Sequence, residues 1–396
     1  MTTQRHLRIA ALTLIAAAAF AQTPRTRLDP TLTIVLGDGI SAGFAGFRLT
    51  EAAQRKAWPV VAVRQMGTYI AVPAFRESGQ VGVLNSYRPL GGLQPEVAQS
   101  GERALPFSFF TTNLSIPFLR LGDSLRLRPK PQQEGLKLIT TVEGDILQTL
   151  ANSILGGPYL VLDPPILLTQ AEYAVTMNPT LAFVQLGFSD VAEAAVANDA
   201  SRITSTGSFT ADFTQLLETL SATVATVVVM TVPDPTDTAY FASTDELGAR
   251  FGLTGESLRT RFGLAAGDLL TLGGMVEVGD ALRGRRDNAL SQGSVLSASV
   301  ASGVRTAVSG YNSAIRTAAQ SKGFAVFDLA AILRQVKTSG ARSGAASVAG
   351  AYLGGFYSED GLYPSAAGQT ILANQVLDFL NSTYGSSYAP AAVEAQ

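Results

Sequence analysis

Four short runs, 31–37, 180–187, 223–232 and 323–329, are built from β-branched, aliphatic and aromatic residues and contain almost no charge, and stretches of helical periodicity separate them. Strands this free of polar residues must be covered on both faces, which is the condition of a parallel sheet with crossover helices packed above and below it. The expected architecture is therefore a three-layer α/β/α sandwich with a mostly parallel sheet. Helices are expected over 42–56, 209–222, 300–321 and 366–384. The last has Ser365 as its N-cap after Pro364 and Gly385 as its stop.

Between the third and fourth runs, 234–292 carries few strand signals, several Gly and Asp turns, and an Arg cluster at Arg283, Arg285 and Arg286. It reads as an insertion, either overhanging a crevice at the strand ends or decorating the surface, and the Arg cluster reads as a solvated face. The stretch 120–130, rich in Arg and Pro, reads as a solvated connector. No internal repeat is visible. The expected organisation is a signal peptide over 1–21, a single domain over 22–385, and a flexible Ala/Pro-rich tail over 386–396.

The signal-peptide reading rests on Arg5 and Arg8, an apolar run over 9–20, and Ala19-Phe20-Ala21 as a small-residue cleavage site. The apolar run is about half the ~20 residues a membrane-spanning helix needs, and no later stretch is a better candidate, so an exported protein, periplasmic or secreted, is expected. Basic and acidic residues nearly balance, at 29 and 31, with the basic ones scattered, so nucleic acid is not an expected partner.

Two counts narrow the chemistry further. The chain has no cysteine, which removes thiol catalysis, disulfides, lipoprotein attachment and thiolate-bound metals. Its one histidine is His6, inside the segment expected to be removed, so a mature chain has no imidazole to serve as base, acid or ligand. No cofactor or metal is expected.

At the end of the first run, Ile34-Val35-Leu36-Gly37-Asp38-Gly39-Ile40-Ser41-Ala42-Gly43 passes from strand through a tight turn into a helix. Hydrolytic α/β folds place a nucleophile in this position. This segment resembles the first block of the SGNH/GDSL hydrolases, which are lipases and esterases of flavodoxin-like architecture. Further on, Asn113-Leu114-Ser115-Ile116-Pro117-Phe118 looks like the family's second block, Gly187-Phe188-Ser189-Asp190 like its third, and 360–368, beginning Asp360-Gly361-Leu362-Tyr363, like its fifth. Trp58-Pro59, 232–234 and 354–356 look like the flanking segments of exported bacterial members.

The resemblance implies a Ser-His-Asp ester hydrolase, yet the residues that name the family are replaced. Gly39 stands at the Ser position, Phe118 at the Gly, Ser189 at the Asn and Tyr363 at the His; only Asp360 is kept. Gly39 has no oxygen with which to form an acyl-enzyme. Phe118 puts a benzyl group where a bare N–H should face an oxyanion, and Ser189 has a shorter reach than an amide. Tyr363, with an ordinary pKa of about 10, is a poor base near neutrality. Loss of a triad nucleophile or base alone costs a rate factor of roughly 10⁶.

Ser41 is the one substitute nucleophile to weigh, against a plain role at the helix start. Asp38, Asp190 and Asp360 are candidates for acid–base work or Mg²⁺/Ca²⁺ ligation, against a role in holding turns. Three function classes follow. The first, favoured, is a non-catalytic descendant whose crevice (Asp38, Gly39, Ser41, Phe118, Ser189, Asp190, Asp360, Tyr363) binds an acyl, ester or glycan ligand or an envelope partner. The second is an active ester hydrolase with an altered, histidine-free site. The third is an interaction protein with the crevice filled by Phe118 and Tyr363.

Overall fold

The computed structural model describes residues 28–77, 79–81, 101, 110–134, 137–157, 167–344 and 346–393. The signal peptide and cleavage site expected from the sequence lie outside the described residues.

The four apolar runs form the strands of one parallel sheet, each core shorter than its run: β1 (Thr33–Gly37), β2 (Leu181–Gln185), β3 (Thr226–Met230) and β4 (Ala325–Phe327), in the order β1-β2-β3-β4. In β1 and β2 every residue is buried, which explains why neither run carries a charge. Beyond the free edge of β1 runs residues 112–116, parallel to it. The Val35 N–H donates to Thr112 O at 2.8 Å, and the Leu114 and Ile116 N–H groups donate to Val35 O at 2.9 Å and Gly37 O at 3.1 Å. Counting that segment as a strand gives the 2-1-3-4-5 order of a doubly wound sheet, in which the crevice lies at the carboxyl ends beside β1.

The helices that position the site are α1 (Gly39–Ala42), α2 (Trp58–Gln65), α3 (Leu121–Arg126), α4 (Ser189–Ala197), α5 (Thr206–Ser221), α6 (Ala298–Lys322) and α7 (Ala366–Tyr384). α2 packs with α7 as one layer, and α5 with α6, α3 and α4 as the other. α7 starts and stops where its caps require: Ser365 Oγ accepts from Gly368 N, and Gly385 has φ +68°.

Four expectations need correction. Of the helix expected over 42–56 only Ala42, the end of α1, and Glu51–Arg55 are helical, because Gly43, Gly46 and Phe47 take positive φ and turn the chain into a short strand, Arg48–Leu49, between them. The connector expected over 120–130 contains α3, whose Leu121 is fully buried, and α3 packs on α5. The insertion has its own three-stranded antiparallel sheet, Phe241–Ser243, Leu269–Thr271 and Val295–Leu296, the last just past the expected boundary. Of the expected flexible tail, residues 388–391 are bonded to α7: Tyr388 N donates to Asn381 Oδ1 at 2.8 Å and Ala391 N to Asn374 Oδ1 at 2.7 Å.

One apolar cluster joins the sheet to the insertion's Phe241, Leu258, Leu270 and Val278. The insertion lies against α4, and its Ala239 and Tyr240 sit on Gly361. The Arg residues are held within it: Arg285 pairs with Asp280, Arg286 with Glu277, and Arg283 lies over the Phe251 ring.

Candidate functional site

The carboxyl ends of β1, β2 and segment 112–116 meet the loop before α7. Asp38 follows β1 and caps α1, Oδ1 accepting from Ile40 N at 3.1 Å. Gly39 follows as the first helical residue and is buried. A Cβ on Gly39 would lie 2.4 Å from Tyr363 Cε1, 2.7 Å from Cζ and 3.0 Å from the phenol oxygen. The tyrosine ring therefore stands where a side chain at position 39 would begin, and only glycine fits beneath it.

Tyr363 is held there by its own loop. Asp360 Oδ1 accepts from the N–H groups of Leu362 and Tyr363, each at 2.8 Å, an Asx turn that fixes the backbone on which the ring is carried. Around the ring lie Phe44, with centroids 5.3 Å apart and planes at 76°, and Phe188, at 6.0 Å and 70°. Phe118 packs edge-on to Phe44 at 5.2 Å. All four rings are at most 3 % exposed. Edge-to-face contacts of this kind add roughly 0.5–1.5 kcal/mol each to the apolar burial.

Phe118 has φ +68°. The left-handed conformation there suits a glycine, and a larger side chain in it costs about 1–2 kcal/mol. The backbone at 118 has the shape that suits a glycine, while the side chain packs on Phe44. On the β2 side, Gly187 has φ +111°, and a Cβ there would strike Val232 Cγ2 at 2.6 Å, so the turn into α4 needs glycine. Ser189 Oγ is buried with no hydrogen-bond partner, and Asp190 Oδ2 accepts from Leu121 N at 2.8 Å.

Ser41 faces away from this cluster. It is fully buried; its Oγ donates to Gln185 Oε1 at 2.7 Å and accepts from Trp58 Nε1 at 3.1 Å. Its carbonyl accepts from Asn113 Nδ2 at 2.9 Å. The hydroxyl is a junction between β1, β2 and α2 with its donor and acceptor capacity used. Ser41→Ala is expected to lower stability by roughly 2–3 kcal/mol, because Gln185 Oε1 and Trp58 Nε1 lose a buried partner. Denaturant titration followed by the emission of Trp58, the chain's one tryptophan, checks this.

The structure thus brings Gly39, Phe118 and Tyr363 together, with Asp360 beneath Tyr363 and Ser189 and Asp190 at the neighbouring turn, and commits Ser41 to a separate buried contact with Gln185 and Trp58. Burial pushes the Asp38 carboxyl up to about 7, with the Asp190 charge adding to it. Burial likewise pushes Asp190 and Asp360 up to about 6. Among the described residues no group of three or more acidic or imidazole side chains is arranged to hold a metal. Phe44 and Phe188 complete the ring cluster and were not singled out from the sequence. Their one signal is position, each beside a glycine at a block: Gly43 and Gly187. Backing onto the cluster is a cavity of about 400 Å³ lined by Gly43, Ala45, Lys56, Leu353, Tyr357 and Ser365 among others, and neither Gly39, Phe118, Ser189 nor Tyr363 lines it.

No family model matches the chain, and no curated protein matches it. Among solved structures it is similar to the acetylxylan esterase Axe2 of Geobacillus stearothermophilus, at 11% identity and TM-score 0.40 over 93% of this chain and 100% of that one. It is also similar to LAE5, an α/β hydrolase enzyme from the metagenome of Lake Arreo, Spain, at 11% identity and TM-score 0.39 over 90% and 96%. A third is an extracellular lipase of Streptomyces rimosus, at 14% and 0.39 over 89% and 99%.

Proposed function

We propose that this chain is an exported SGNH/GDSL-hydrolase-like protein that no longer hydrolyses esters by Ser-His-Asp chemistry and acts by binding. Its partner is an acyl, ester or glycan ligand or another protein of the envelope. The observation that carries the reading is the Tyr363 ring over Gly39: the atom that would bear a nucleophile is missing and its space is taken. The four blocks in order, three at the ends of β1, segment 112–116 and β2 and the fourth in the loop before α7, support the ancestry. Export is supported by the basic and apolar segment at the start of the chain, and periplasmic or secreted location follows from it; among the described residues no helix is long and apolar enough to cross a membrane.

The burial of Phe118 and Tyr363 favours a second form of this reading, in which the crevice is closed at rest and partners meet the outer surface. An active, histidine-free ester hydrolase would need an accessible nucleophile beside a base, and Ser41 is buried between Gln185 and Trp58.

Ancestry is tested by restoring all four blocks at once: Gly39→Ser, Phe118→Gly, Ser189→Asn and Tyr363→His. The folded quadruple variant is expected to gain hydrolysis of short p-nitrophenyl esters that the parent lacks. A folded variant with no gain would overturn the assignment of the blocks.

A further inference from the structure

Three buried carboxyls surround the ring cluster, and of these only Asp360 has a counterpart in the Ser-His-Asp chemistry the resemblance implies. Asp38, Asp190 and Asp360 are each wholly buried. Each is bonded to the backbone of a different segment carrying part of the cluster. Asp38 holds Ile40 N, in the turn that lies under the Tyr363 ring and leads to Phe44. Asp190 holds Leu121 N, just after Phe118. Asp360 holds Leu362 N and Tyr363 N. In each, the other oxygen has only polar neighbours out of good hydrogen-bond geometry, and among the described residues none of the three is in an ion pair. A buried carboxylate so placed is costly, and the neutral acid is the cheaper occupant.

We propose that Asp38, Asp190 and Asp360 form a proton-operated latch: while neutral they keep the four rings packed over Gly39, and their ionisation loosens the three segments and opens the crevice.

The surroundings decide the direction. Asp38 faces Asp190 across the strand ends, which opposes its charge, while the Ile40 and Phe188 N–H groups and the Gln185 amide favour it less strongly than burial disfavours it. Asp190 faces Asp123, with Arg120, Thr204 and the Tyr311 phenol on its other sides, and Arg120 is itself engaged by Glu193 at 2.7 Å. Arg126 lies further off, committed to Asp212. Asp360 faces the Ser358 hydroxyl, the Phe47 N–H and the Tyr352 phenol, with no cation among them. In the closed form all three acids therefore hold their protons above the ordinary carboxylate range, whereas once hydrated in an opened form they release them near pH 4. The closed form binds more protons, so its advantage is complete below about pH 4 and is lost as pH rises through 6 to 7.

Hydrogen exchange on the intact protein, corrected for the intrinsic rate, reads the latch. Amides in 39–44, 118–122, 188–191 and 361–363 should lose protection by about three orders of magnitude between pH 5 and pH 7, while the middle of α6 changes far less. Asp38→Asn, Asp190→Asn and Asp360→Asn, each mimicking a neutral acid, should each remove about a third of the pH dependence, since three protons share it. The protonated-carboxyl infrared band of the unmutated protein, present at pH 5 and gone at pH 8, supplies a measurement that no folding failure of a variant affects. Equal loss of protection in α6, full pH dependence in folded Asn variants, or absence of that band at pH 5 would each overturn the latch. None of these outcomes depends on whether an ancestor hydrolysed esters.

Discussion

Gly39→Ser alone should destabilise the protein by about 3 kcal/mol and yield no ester hydrolysis. Serine supplies the oxygen the site lacks, but its Cβ meets the Tyr363 ring at 2.4 Å, and that ring is hemmed in by Phe44 and Phe188 and held by the Asp360 turn. Relief is available only by moving the ring or the α1 turn, both inside a packed core. Tyr363→His alone should also destabilise, by leaving a gap where the phenol was. Combined, the two changes should cost less than their sum, with a coupling of roughly 1–3 kcal/mol in a double-mutant cycle by denaturant titration. Additive costs would mean that the ring does not stand over Gly39.

Phe118 provides the second large effect, and its sign pattern is unusual. Phe118→Ala should cost about 3–5 kcal/mol, because a buried ring packed on Phe44 is lost. Phe118→Gly removes one more carbon, and in an ordinary core position would be the worse variant. Here φ is +68°, so glycine relieves backbone strain that alanine keeps, and the Gly variant should be more stable than the Ala variant by about 1 kcal/mol. Thermal and denaturant unfolding of both variants reads the difference. Glycine less stable than alanine would contradict the left-handed backbone at this position.

The strands were readable because burial on both faces leaves no room for charge, and α7 because Ser365 and Gly385 mark its ends chemically. The positions read as replacements stand out because each falls in a short block, three at strand ends and one in the loop before α7. What the sequence concealed depends on contacts between distant segments. Gly39 and Tyr363 read separately as two losses, one of a nucleophile and one of a base; in space they are a single fit of ring against bare backbone. Phe44 and Phe188 are unremarkable aromatics until the fold turns them toward that ring. The break in the helix expected over 42–56 was hidden because apolar periodicity persists through Gly43–Phe47, while the positive φ values that turn the chain leave no periodic mark. Ser41 reads as the one substitute nucleophile to weigh against a helix-start hydroxyl, and its commitment to Gln185 and Trp58 is set by which face of α1 meets β2.

The most direct test of a site closed by its own aromatic rings is to treat the folded, purified protein with a fluorophosphonate probe and weigh it intact, alongside an assay of short- and long-chain p-nitrophenyl esters. The account predicts no mass increase and no turnover above the buffer rate. Stoichiometric labelling of a serine together with turnover would contradict it, and would mean that a nucleophile and a base operate here without a serine at 39 or a histidine at 363.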